Sequence, residues 1–206
     1  MSAIPATSAE PSGGKREATK AANRAAILDA ARVVFADLGY GAASVRDIVR
    51  RTGLATGTFY NYFPDKESVL RAVLTDTATE IRARLVQARS EATSLEDFVG
   101  DGFRLYFSFL VEDRSTFELM RRNAGTIRAM FGEPVLVGGL HELMGDMRDA
   151  IARGVLPEMD VEYAAAAMFG AGFEVGMVML EREPPDVEGA TALMTALFAG
   201  RLPFAG

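Results

Sequence analysis

The stretch SVRDIVRRTGLATGTFYNYFPDKE, residues 44–67, reads as two short helices joined by one glycine turn. Ser44 suits a helix N-cap, with Asp47 at the third position completing the cap and Val45, Ile48 and Val49 supplying an apolar side. Gly53 ends that helix, because glycine adopts the left-handed conformation at no steric cost. A second short segment, 56–63, stops at Pro64, and Asp65 then caps a longer helix. Such an arrangement is a helix-turn-helix, whose second helix enters the major groove of DNA. Thr56, Thr58, Tyr60, Asn61 and Tyr62 carry hydroxyl and amide groups within seven residues, beside the cations Arg46, Arg50, Arg51 and Lys66. Those groups suit phosphates and base edges, and Gly57 lets the backbone approach closely. Taken by spacing alone, the same residues also describe a tyrosine-rich helix capping a core.

The flanking sequence is helical in both directions. Ile27, Leu28, Ala31, Val34, Phe35 and Leu38 recur at three- and four-residue spacing until Gly39 and Gly41 break the pattern. Val69, Leu70, Val73, Leu74, Ile81 and Leu85 carry the helix after Asp65 to about Arg89. Residues 95–111, a shorter 114–122, the stripe Leu136, Leu140, Leu143, Met144, Met147 and Ile151, then 161–182 and 187–200 complete the series. No stretch alternates with period two, so an all-α fold is expected. Its parts are a disordered tail at 1–19, a three-helix helix-turn-helix domain at 20–75 and a helical domain at 76–206. The tail lacks the apolar segment of a signal peptide, which makes a cytoplasmic protein the expectation. Lys15, Arg16, Lys20 and Arg24 form the tail's basic end and the helix start beyond it.

Residues 163–180 approach the length of a membrane span with a single charge, Glu174. The central carboxylate and the lack of a flanking positive cluster favour a packing helix covered on several sides, and no membrane partner.

Composition removes several classes of function. The 206 residues contain no cysteine and one histidine, His141, so thiolate zinc, disulfide and two-imidazole sites are excluded. His141-Glu142 begins like a zinc-protease motif, but Gly145 stands where the second histidine belongs. No phosphate-loop or Gly-x-Ser-x-Gly pattern occurs. No catalytic residue, cofactor or metal is therefore expected. The net charge of −6 hides an asymmetry: residues 1–75 hold ten Lys and Arg against seven Asp and Glu, the remainder twelve against twenty-one. A basic front on an acidic back permits an oriented approach to a polyanion.

The residues Phe35-Ala-Asp-Leu-Gly39-Tyr40, Ser44-Val45-Arg46-Asp47-Ile48, Thr52-Gly53-Leu54 and Gly57-Thr58-Phe59-Tyr60-Asn61-Tyr62-Phe63-Pro64-Asp65-Lys66-Glu67 resemble, in this order, the DNA-binding domain of the TetR family of bacterial transcriptional regulators. The resemblance spans about residues 22–75. It implies a recognition helix bearing Thr56, Gly57, Thr58, Tyr60, Asn61 and Tyr62, with Phe59 and Phe63 in the core. It further implies contacts from Ser44, Val45 and Arg46 on the preceding helix, and a phosphate contact from Lys66. Ala55 departs from the family's usual Ser or Thr, so the recognition helix loses its side-chain cap, at about 1 kcal/mol. Thr56 stands where the family often has Lys or Arg.

By analogy with the family, the second half is expected to bind a small effector and to form a homodimer through helices near 161–182 and 187–200. The expected partner is then an inverted-repeat operator in double-stranded DNA. Thirteen Phe and ten Met suit an apolar cavity. The candidate lining is Phe103, Tyr106, Phe107, Phe117, Met120, Phe131, Met144, Phe169 and Phe173, with Arg121, Asn123, His141 and Glu174 as polar anchors. For Glu174 the sequence leaves open an arginine of a second chain or a cationic group of the ligand. The function read from all this is a ligand-released repressor; the alternative is a helical architectural protein binding DNA without sequence preference.

Overall fold

In a computed structural model, described over residues 12–112, 114–130 and 134–200, the regular elements are helices and no strand occurs among these residues. In chain order they are α1 (Ser12–Leu38), α2 (Val45–Thr52), α3 (Thr56–Tyr60), α4 (Lys66–Glu91), α5 (Leu95–Glu112), α6 (Arg114–Ala129), α7 (Pro134–Ala152), α8 (Val161–Leu180) and α9 (Val187–Phe198).

The local signals act as the residues dictate. Ser44 and Asp47 form a reciprocal capping box on α2, and Asp65 and Ser68 form another on α4. Both carboxylates sit below their ordinary range, first because of hydrogen bonds from the serine at the other end of each box. Gly53 closes α2 with φ +68°, and Gly39 closes the first turn after α1 with φ +76°. α3 begins at Ala55 with no side-chain cap and runs only to Tyr60.

Ile27, Ala31, Val34 and Phe35 of α1, Ile48 of α2, Phe59 of α3, Phe63, and Val69, Leu70 and Val73 of α4 are all buried. They make the core of the N-terminal part, where Phe59 and Phe63 point inward as expected. The other helices pack as a bundle, with α5 against α4, α6, α8 and α9, and α7 against α4 and α8. α4 belongs to both parts, so a division at residue 75 falls inside one continuous helix.

The joint between the parts is α6 on α1. Asn123, 2% exposed, is its polar centre. Its Nδ2 donates to Phe35 O at 3.0 Å and Leu119 O at 2.8 Å, and its Oδ1 accepts from Tyr40 N at 2.6 Å. One amide therefore ties the end of α1 and the following turn to α6, and it is no ligand anchor.

Three expectations are corrected. Residues 12–19 do not belong to a tail: they are the first turns of α1, where Lys15, Arg16, Glu17 and Ala18 favour helix and Thr19 Oγ1 donates to Lys15 O at 2.9 Å. Residues 1–11 lie outside the described residues. α6 runs past Arg122 to Ala129, because Asn123 and Ile127 are buried on the same side as Leu119 and Met120. α8, the one described helix long and apolar enough to cross a membrane, packs through Ala165, Met168, Gly172, Phe173 and Gly176. It is not covered on all sides, however, for Tyr163 is 78% and Val178 54% exposed. Leu193 and Leu197 of α9 are likewise open.

Candidate nucleic-acid interface and ligand cavity

α3 and the residues after it present Thr56, Gly57, Tyr60 and Asn61 to solvent, while Thr58 and Tyr62 are half-buried. Tyr60 packs its ring edge-on against Phe59 at 5.3 Å, so the buried phenylalanine holds the exposed tyrosine upright. Tyr62 accepts a hydrogen bond from Asn23 Nδ2 at 3.2 Å, which fixes its hydroxyl beside α1. Arg46 and Arg50 are exposed on α2, and Arg51 pairs with Asp37 at 2.8 Å. Ser44 is exposed, but its hydroxyl serves the cap; Val45 packs against the core.

Lys66 has a structural duty that the sequence did not disclose. Its Nζ donates to Tyr40 O at 2.6 Å and Ala43 O at 2.8 Å, and lies 4.3 Å from the centre of the Tyr40 ring. The ammonium thus pins the turn between α1 and α2 to the start of α4. One N–H remains for any phosphate.

The second feature is a cavity of about 170 Å³ between α4, α5, α6, α7 and α8. Its α4 wall runs from Leu74 through Ile81 and Leu85 to Arg89, about 22 Å at 1.5 Å per residue. Of the candidate lining, Phe103, Tyr106, Met120, Phe169 and Phe173 face it. Phe107, Phe117, Arg121, His141, Met144 and Glu174 do not. Phe107 follows Tyr106 by one residue, roughly 100° around the helix, and is buried in stacking contact with Phe103 at 5.7 Å. Phe117 and Met144 pack half-buried against the core, and His141 is exposed. Arg121 is paired with Glu118 one turn away at 2.8 Å. Phe131 lies outside the described residues.

Glu174 points outward from α8 and takes a two-pronged ion pair from Arg128 of the same chain, at 2.6 and 2.7 Å. That guanidinium holds the Glu174 carboxyl below its usual range. Neither a ligand cation nor a second chain is needed to explain it.

Two charged pairs sit in the wall and were missed. Arg89 Nη1 meets Asp146 Oδ2 at 2.9 Å with both side chains largely buried, and Arg82 Nε meets Glu142 Oε2 at 2.8 Å. Burial pulls the Arg89 pKa down, and Asp146 works against it. Arg82 and Arg89 share a face with Leu85 on α4, as Glu142 and Asp146 do on α7, four residues apart; that pairing of faces was the available signal.

Small residues of α8 admit the aromatic wall. A Cβ on Gly172 would stand 2.9 Å from Phe103 Cε1, which makes the ring give way. Gly172→Ala should therefore destabilise by about 1–3 kcal/mol through overpacking. Chemical denaturation at fixed protein concentration would measure this, and an unchanged midpoint would mean the ring has room to move.

The profile of "Bacterial regulatory proteins, tetR family" matches residues 27–73, the segment from α1 to the first half of α4. That segment carries the DNA-binding domain of the TetR family. The fatty acid metabolism regulator protein of Bacillus subtilis (strain 168) is 29% identical over 150 residues, 70% of this chain and 76% of that protein. Among solved structures, the fatty acid degradation regulator FadR from Bacillus halodurans superposes with TM-score 0.74 at 26% identity, over 88% of this chain and 96% of that one. FadR from Bacillus subtilis, solved in complex with stearoyl-CoA, gives 0.72 at 25% identity over 85% and 97%. Other curated regulators match over about two fifths of their own length. The chain is accordingly a sequence-specific, ligand-responsive transcriptional regulator and not an enzyme.

Proposed function

We propose that the chain acts in the cytoplasm as a homodimeric repressor that leaves an inverted-repeat operator when a long apolar chain fills the cavity. The observation that carries this is the placement of the cavity along α4. The same helix walls the apolar space with Leu74–Arg89 and anchors the helix-turn-helix through Lys66 and Val69. A ligand that prefers one setting of α4 therefore has a hold on the turn before α2, and through α2 on α3. The elongated, apolar shape suits an acyl chain, and the likeness to FadR solved with stearoyl-CoA supports that class.

The exposed stripe of Tyr163, Ala167 and Val178 on α8, with Leu193 and Leu197 on α9, supports a two-fold pairing through these helices. Arg46, Thr56, Gly57, Tyr60 and Asn61 are the proposed reading surface, with Thr58 and Tyr62 at its half-buried edge. Ser44 and Val45 set its position from the cap of α2, and Lys66 supports it from behind.

The test is selection of bound fragments from random DNA, followed by binding titrations. An inverted repeat should be enriched. Tyr60→Ala, which removes a largely exposed side chain, should weaken its binding about tenfold or more at a stability cost of about 1 kcal/mol, that of its ring contact with Phe59. Stearoyl-CoA should release the DNA and raise the melting temperature. Binding without sequence preference at every salt concentration would favour the architectural alternative instead.

A further inference from the structure

Tyr106 lies in the apolar wall between Phe103 and Leu110, one helical turn from each, with its ring edge against Gly176 of α8. Its hydroxyl has no hydrogen-bond partner among the described residues. Tyr106 is half-buried, and a tyrosine packed into an apolar wall ordinarily finds a partner for its hydroxyl. Desolvation alone pushes this phenol well above its ordinary pKa, so it stays neutral and able both to donate and to accept. The charges elsewhere in the wall cancel: Arg89 is taken by Asp146 and Arg82 by Glu142. Among the described lining residues, each charge therefore already has an opposite partner. What is missing there is one neutral oxygen.

We propose that Tyr106 is a specificity-determining residue which hydrogen-bonds a neutral oxygen function, a hydroxyl or carbonyl, carried along the aliphatic chain of the effector. This rests on the assignment of the cavity as the effector site and deepens it, from an apolar chain to an oxygenated one. A plain hydrocarbon chain would fill the space and leave the phenol unpaired; an oxygenated one satisfies it.

The experiment uses the full-length protein, with stearate and a positional panel of hydroxystearates as probes, read by titration calorimetry. At least one positional isomer should bind roughly tenfold more tightly than stearate, the amount expected of one satisfied buried hydrogen bond. Tyr106→Phe should abolish that preference, so that it binds stearate and every isomer alike. In the absence of any probe, Tyr106→Phe should be at least as stable as the wild type, since it deletes an unpartnered hydroxyl. Equal binding of stearate and every isomer, a preference that survives in Tyr106→Phe, or a clear loss of stability in that variant would each overturn the proposal. Ala78→Phe, which fills the cavity, separates the two levels of the argument. If it abolishes stearate binding while no isomer shows a Tyr106-dependent gain, the cavity assignment stands and only the oxygen is wrong. If no probe binds, or binding is indifferent to Ala78→Phe, the cavity assignment itself fails and the proposal falls with it.

Discussion

Asp146→Ala should cost about 3–5 kcal/mol of folding stability, the usual penalty for removing one partner of a buried ion pair. The arginine it leaves behind cannot shed its charge. Arg89 is 14% exposed and sits over the Phe98 ring at 5.9 Å. Its Nε already lacks a hydrogen-bond partner, and Glu142, the other carboxylate that acts on it, is already paired with Arg82. The pair itself is not what makes the bundle stable, because two charges were taken out of water to form it. Arg89→Met combined with Asp146→Leu should consequently recover most of the loss. Urea denaturation of the two variants at equal protein concentration would check this. The double variant falling as far as the single one would show that the pair, and not the orphaned charge, supplies the stability. Removing Glu142 should cost much less, since its side chain is 39% exposed and water compensates Arg82.

Asn123→Leu should leave DNA binding measurable but largely remove its response to stearoyl-CoA. The side chains are similar in size, so the packing between α6 and α1 is kept while three hydrogen bonds go. Phe35 O keeps the N–H of Gly39 at 3.0 Å, but Tyr40 N–H loses its acceptor. The stability cost is that of one buried unsatisfied donor, about 1–3 kcal/mol. The larger consequence is regulatory. Met120 and Ile127 of α6 line the cavity, three residues before and four after Asn123. A ligand that displaced α6 would act through this amide on the end of α1 and the turn that Lys66 pins. Operator titrations with and without stearoyl-CoA would reveal the difference. Full release of the variant from DNA would assign the transmission to α4 alone.

The front half of the molecule was legible because its determinants are local. Ser44, Gly53, Asp65, Phe59 and Phe63 each do within a few residues what their chemistry dictates. The bundle was legible as helices but not as a site. Arg89 finds Asp146 fifty-seven residues away, Arg128 finds Glu174 across forty-six, and Asn123 reaches back more than eighty to α1. Helical periodicity cannot specify which faces will meet over such separations. For the same reason Phe103 and Tyr106 were placed on the cavity while Phe107, their neighbour in sequence, was wrongly added. The α4 wall escaped notice because Leu74, Ile81 and Leu85 read as the ordinary apolar side of an amphipathic helix. The early start of α1 was hidden by Pro11 and the two glycines that follow Ser12, which suggested a chain without order.

The unbroken course of α4 has a mechanical consequence. Twenty-six residues make a rod of about 39 Å, and a rod converts angle into distance in proportion to its length. A tilt of roughly 5°, small enough to be absorbed by side-chain repacking at one end, sweeps the other through about 3 Å, close to the rise between successive base pairs. A regulator built on this lever can lose register with its operator without unfolding any part of itself.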